Sequence, residues 1–162
     1  MPNAVIRTEK EMEEIYNRQI DTIYRVCFLY LKNRMDAEDA VQAVFLKLME
    51  SGPAFENPAH EKAWLIVTAT NYCKNILRHW LRKAVPFEEG SASYEEPFQI
   101  DETLEKVLRL PANYKTVLYL FYYEGYTSAE ISRMFHKKDS TIRSYLHKGR
   151  KLLKLQIEGE ER

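Results

Sequence analysis

The chain has 162 residues, 45% of them hydrophobic and 30% charged, which suits one or two small domains rather than one large core. Its 24 Lys and Arg offset 24 Asp and Glu, so a uniformly basic protein is excluded while a segregated charge pattern is not. No apolar run approaches the ~20 residues needed to cross a bilayer, and the charged start around Arg7, Glu9, Lys10, Glu11, Glu13 and Glu14 lacks the apolar stretch of a secretory signal. A cytoplasmic chain without membrane insertion is expected.

The first periodic stretch, from about Lys10 to Lys32, places Tyr16, Ile20, Ile23, Cys27, Tyr30 and Leu31 along one side and predicts a long amphipathic helix. A second helix is expected to start at Asp36 as its cap, with Glu38 and Asp39 complementing the positive end. Its inward stripe is Ala37, Ala40, Val41, Val44 and Leu48, which leaves Asp39, Gln42, Leu46 and Met49 on or near the opposite side. Single exposed Leu or Met residues are ordinary. Grouped with Asp39 and Gln42, these two also fit a protein-docking face with a small apolar centre and a polar rim.

A third helix follows Asn57-Pro58, where Asn caps and Pro is tolerated in the first turn, and runs to about Lys83 with Leu65, Ala69, Tyr72 and Ile76 inward. Thr68, Asn71, Asn75, Arg78 and Arg82 recur at spacings of three and four, with Lys74 beside them. Amides and guanidinium groups on one stripe suit phosphates and exposed base edges, above all on separated strands. A merely solvated polar face has the same composition.

From Lys62 to Lys83 every charged residue is positive, whereas Glu88, Glu89, Glu95, Glu96, Asp101 and Glu102 make the stretch from Ala84 to Thr103 wholly acidic. Regular structure is least supported from Pro86 to Asp101, where Pro86, Gly90, Ser91, Ser93 and Pro97 accompany the acids, and this is the expected linker. Beyond it, Leu104, Val107, Leu108 and Leu110 predict a short helix ending before Pro111. Val117, Leu118, Phe121 and Tyr122 predict another from about Ala112 to Glu124, stopped by Gly125.

Thr127 and Glu130 have capping-box spacing and open a helix bearing Ala129, Ile131, Met134 and Phe135. After His136, Lys137, Lys138 and Asp139 a last helix begins near Ser140, with Ile142, Leu146, Gly149 and Leu153 inward. Thr141, Arg143, Ser144, His147, Lys148 and Lys151 stay outward, flanked by Arg150 and Lys154. Arg can bond guanine O6 and N7, Ser and Thr can reach phosphates or bases, and Lys neutralises phosphate at a helix that fits the major groove. A solvated basic face is the plain alternative. The order of capped helix, turn and basic helix favours the DNA reading.

The fold class is therefore all-α: two small helical domains, at residues 10–83 and 104–156, joined by an acidic linker at 84–103. Cys27 and Cys73 lie far apart in no metal-like spacing and are expected to pack as small hydrophobes in a reducing compartment. His60, His79, His136 and His147 also lack zinc-ligand spacing, and the carboxylates fall mostly in caps or linker. No catalytic residue, metal or other cofactor is expected. An operator-binding helix-turn-helix regulator, acting as a dimer on palindromes, remains a rival reading.

Four blocks resemble the extracytoplasmic-function sigma factors, the small promoter-recognition subunits of bacterial RNA polymerase: DAEDAVQAVFLKL from Asp36 to Leu48; Trp64, Leu65, Asn71, Asn75 and Arg78; LPANYKTVLYLFYYEGYTSAEIS from Leu110 to Ser132; and STIRSYLHKGRKLL from Ser140 to Leu153. The resemblance implies that the upstream domain is sigma region 2 and the downstream domain region 4. It implies that Asp39, Gln42, Leu46 and Met49 dock on the clamp helices of the largest polymerase subunit, with the flap as a further contact. Asn71, Lys74, Asn75, Arg78 and Arg82, with the loop from Ser51 to His60, would bind the melted −10 element and accept a flipped base. Thr141, Arg143, Ser144, His147, Lys148 and Lys151 would read the −35 element, the acidic linker would follow the RNA exit path, and an anti-sigma factor would hold the protein inactive. Tyr145 and Lys148 stand where the family has Arg, Gly149 where Ala is usual, His136 where Gly is common and Lys138 where a capping Ser is frequent. Gly149 costs roughly 0.5 to 1 kcal/mol against Ala and is expected to loosen the helix end, while Asp139 or Ser140 is left to cap it.

Overall fold

The structure, a computed structural model, describes residues 4–83 and 102–160; the acidic stretch at 84–101 lies outside the described residues. Those residues form seven helices and no strand, in two compact units.

The first unit holds α1 (Glu9–Leu31), α2 (Arg34–Ser51) and α3 (Pro58–Arg82). Thr8 caps α1 by accepting from the Glu11 amide at 3.1 Å, and Lys32 ends it in the left-handed region at φ 58°, its amide bonding the Phe28 carbonyl. α2 is capped by Asn33, not Asp36: the Asp36 amide donates to Asn33 Oδ1 at 2.8 Å, which places Asp36 in the first turn. Asn57 caps α3 as expected, accepting from the His60 amide at 2.8 Å.

α1 packs against both α2 and α3, and this double contact moves its buried face from the single stripe expected. Ile15, Gln19 and Ile23 point inward and every residue from Val26 to Leu31 is buried, whereas Tyr16 is exposed and Ile20 only half-buried. α2 buries the predicted stripe and also Phe45, whose ring lies 5.0 Å from Tyr16. On α3 the inward residues are Leu65, Ile66, Ala69, Thr70 and Cys73, while Tyr72 and Ile76 sit half-buried at the margin. Cys27 and Cys73 are fully buried free thiols, and their mutual hydrogen bond, helped by burial, pushes the Cys27 thiol far up. Both pack in the α1–α3 seam.

One polar cluster pins α3 to α1. Arg18 donates to both oxygens of Glu61, Nε to Oε1 at 3.1 Å and Nη2 to Oε2 at 3.0 Å, and Gln19 Nε2 donates to Oε1 at 3.0 Å. Glu61 is buried, and its bond with Arg18 raises the guanidinium pKa further. A carboxylate out of water needs such donors.

The second unit holds α4 (Glu102–Leu108), α5 (Ala112–Tyr122), α6 (Ser128–Phe135) and α7 (Asp139–Glu160). α5 touches the other three helices, so Val117 to Leu120 are buried consecutively; Phe121 is half-buried and Tyr122 exposed, against expectation. Gly125 turns the chain at φ 77° after α5. The capping box opens α6: the Glu130 amide donates to Thr127 Oγ1 and the Thr127 amide to Glu130 Oε1, both at 3.1 Å. Ile131 faces the core, Met134 and Phe135 are half-buried and Ala129 is exposed. His136 ends α6 in the left-handed region at φ 53°, where glycine is usual.

The Lys138 carbonyl accepts from the Ile142 amide at 3.2 Å, which makes Lys138 the capping position of α7 and moves Asp139 and Ser140 into its first turn. Ile142, Leu146 and Gly149 are buried, Leu153 half-buried. Gly149 marks a close helix approach rather than a loose end. A Cβ there would lie 3.0 Å from Leu118 Cδ1 and 3.3 Å from Tyr114 Cβ, so α7 sits on α5 at a spacing that leaves little room for a methyl group.

Candidate nucleic-acid and polymerase interfaces

Because α2 buries Ala37, Ala40, Val41, Val44 and Leu48, its other side is turned to solvent. Asp39 and Gln42 are exposed there, and Leu46 and Met49 are each 50% exposed. Met35, 74% exposed, extends the row one turn upstream; the sequence reading missed it, although its spacing of four, three, four and three from Asp39, Gln42, Leu46 and Met49 is a one-sided repeat. Three large apolar side chains on a solvated stripe with polar neighbours suit a protein partner.

On α3, Asn71, Asn75, Arg78 and Arg82 are exposed on one stripe, with Lys74 and Thr68 half-buried at its edge. Arg78 Nη1 donates to Asn75 Oδ1 at 3.4 Å. The stripe offers amide donors, amide acceptors and guanidinium groups without any acid on the helix after Glu61. The loop before α3 carries Phe55, whose ring meets His60 at 5.3 Å and Trp64 at 5.8 Å. His60 Nδ1 accepts from the Glu56 amide at 3.2 Å, which folds the loop back onto the helix start. Neither Phe55 nor the contacts that hold it were singled out from the sequence.

On α7, Arg143, His147, Lys148 and Lys151 are exposed, while Thr141 and Ser144 are half-buried. Arg143 Nε donates to Asp139 Oδ2 at 2.9 Å, a bond that uses the inner nitrogen and fixes the direction of the two outer ones. Tyr145 meets the Tyr114 ring edge-on at 5.8 Å, so its side chain serves packing where the resembled family has a cation. Arg150 lies 6.0 Å from the Phe121 and Tyr122 rings and leaves the outward row for an aromatic surface.

Among the described residues no cluster of His, Cys, Asp or Glu could hold a metal ion, and no helix is long and apolar enough to cross a membrane.

The sequence matches the profile of Sigma-70 region 2 over residues 15–83 and that of Sigma-70, region 4 over residues 100–153. It is 28% identical over 142 residues to the RNA polymerase sigma factor SigV of Bacillus subtilis, covering 85% of this chain and 86% of that protein. It is 26% identical over 156 residues to the ECF RNA polymerase sigma factor SigW of Bacillus subtilis, covering 85% and 83%. The fold is similar to that of the sigma factor RpoE of Bartonella quintana, solved in complex with the anti-sigma factor NepR, with a TM-score of 0.75, 18% identity and coverage of 92% of this chain and 98% of that one.

Proposed function

The chain belongs to the sigma-70 family as an RNA polymerase sigma factor of the extracytoplasmic-function type, and on that premise we propose how its surfaces divide the work of directing polymerase to promoters. Sigma factors are non-enzymatic polymerase subunits; binding free energy recruits polymerase, and the core makes the RNA.

Residues 10–83 dock on polymerase and open the −10 element, the acidic linker expected at 84–103 gives way to α4 at Glu102, and the downstream domain expected at 104–156 grips the −35 element. Asp39, Gln42, Leu46 and Met49, extended by Met35, meet the clamp helices of the largest subunit, and the second unit meets the flap. Asn71, Lys74, Asn75, Arg78 and Arg82 hold the unpaired strand, with a base received beside the Phe55 loop. Arg143, Ser144, His147 and Lys148 read the major groove, with Thr141 and Lys151 toward phosphate. The protein works in the cytoplasm, and an anti-sigma partner would cover the docking face or the DNA surfaces.

The observation that carries this reading is that each unit turns its own cationic stripe to solvent, on α3 and on α7. Run-off transcription with purified core and a promoter library tests it. Selected promoters should fire only with this protein present; equal firing by core alone would remove the reading. Leu46→Asp should weaken core binding while leaving the second unit folded. Arg143→Ala should cost about 1 to 3 kcal/mol in use of the upstream element if a base contact is lost, and unchanged upstream preference would refute its role.

A further inference from the structure

Residues 4–8 precede α1 without regular structure and belong to none of the three surfaces, yet they are tied to the loop between α2 and α3. The Val5 amide donates to the Gly52 carbonyl at 3.0 Å. Arg7 Nη1 donates to the same oxygen at 3.1 Å, and Nη2 donates to the Pro53 carbonyl. The Arg7 guanidinium carbon also lies 5.0 Å from the centroid of the Phe55 ring. One planar fork thus collects two successive loop carbonyls and seats the aromatic residue that follows.

Gly52 makes this clasp sterically feasible. A Cβ there would fall 2.5 Å from the Leu48 carbonyl oxygen, 2.6 Å from Leu48 Cδ1 and 3.0 Å from Arg7 Nη1. Just beyond the other end of the loop, Glu61 is held by Arg18 and Gln19, and Gln19 Nε2 reaches the Pro58 carbonyl at 3.5 Å. The loop is therefore fixed on both sides by residues outside it, while Ala54, Glu56 and Asn57 stay exposed. Ordering a loop in advance removes an entropy cost from whatever it binds.

We propose that Arg7 is a positioning residue for base capture: it holds Gly52, Pro53 and Phe55 in the shape in which the loop receives an unpaired −10 base, without touching DNA itself. The inference rests on the role given to this loop under the proposed function.

The test uses the full chain, purified core and a promoter library randomised separately in the −10 and −35 elements. Arg7→Ala should reduce discrimination at the captured −10 position by about tenfold, within the range that a single base position contributes, with −35 discrimination and core affinity unchanged. Arg7→Lys, which keeps the charge over Phe55 but loses the two-pronged donor, should fall between. Should Arg7→Ala fail to fold, Val5→Pro, which removes the Val5 amide donor to Gly52 while leaving the Arg7 fork in place, carries the same measurement. Unaltered −10 discrimination in the variants overturns the positioning role while leaving the loop's reading intact. Equal losses at −10, at −35 and in core affinity would make the clasp purely structural and overturn it too. A wild-type protein that drives promoter-dependent transcription yet shows no −10 preference brings down the loop's role itself.

Discussion

In the first unit the helix carrying Asn71 and Arg78 is fastened near its start by charge, through Glu61 and its donors on α1, whereas in the second the helix carrying Arg143 is seated by shape, through Gly149 on Leu118 and Tyr114. The difference sets how each unit should fail. Charge anchoring is lost when one partner goes, because the others are left without it. Shape anchoring is lost when something is added.

The largest expected effect is on the charged anchor. Glu61→Ala leaves the buried Gln19 amide with only its long bond to the Pro58 carbonyl and should destabilise the first unit by about 2 kcal/mol, a figure held down because Arg18 can turn to water. Both tryptophans, Trp64 and Trp80, lie on α3, so thermal unfolding followed by tryptophan fluorescence reports this unit. A fluorescence midpoint that stays in place would break the comparison.

Next comes the crowded seam. Gly149→Ala gains helix propensity but forces a methyl group against Leu118, and a net loss of about 1 kcal/mol is expected in the second unit alone. It should move the far-ultraviolet circular dichroism transition and leave the tryptophan transition unchanged. Stabilisation instead would show that α5 and α7 part easily.

The smallest effect is the capping box. Thr127→Ala should cost about 0.5 kcal/mol in the second unit, the low end for a cap whose bond is exposed. The Thr127 amide and hydroxyl hold the Glu130 carboxyl below its ordinary value, so its ionised form supports the fold above the ordinary carboxylate range and that support fades as pH falls through the lowered value. Denaturation of wild type and Glu130→Ala across acidic pH should converge. Parallel curves would mean that the carboxylate does not support the cap.

The same contrast explains what could be read from the sequence. The capping box of α6 was legible because its donor and acceptor lie three residues apart, and the buried stripe of α2 because that helix has one consistent inward face. The start of α2 was misplaced because Asn33 and Asp36 are both good caps at the same spacing and bond one another through their side chains. Apolarity points Tyr16, Tyr72 and Tyr122 inward, but α1, α3 and α5 each meet more than one neighbour, and helical period alone does not fix an arc set by several contacts. The thiol pair, the Glu61 anchor and the Arg7 clasp join residues more than forty apart, Arg7–Gly52 at 45 and Arg18–Glu61 at 43 among them, and no local pattern announces them. On the candidate sites, residue type and spacing indicate the outward rows of α2, α3 and α7 and would also have placed Met35, while Phe55 emerges only from the packing.

Gly149 has a consequence that reaches beyond stability. It lies six residues, or about one and two-thirds turns, along α7 from Arg143 and roughly 120° round the helix from it, where the helix rests on its support. Thickening a lever at its rest tilts the free end. The aim of a groove-reading helix would then be calibrated by a residue with no side chain, and promoter preference could drift through changes at a position that never meets a base.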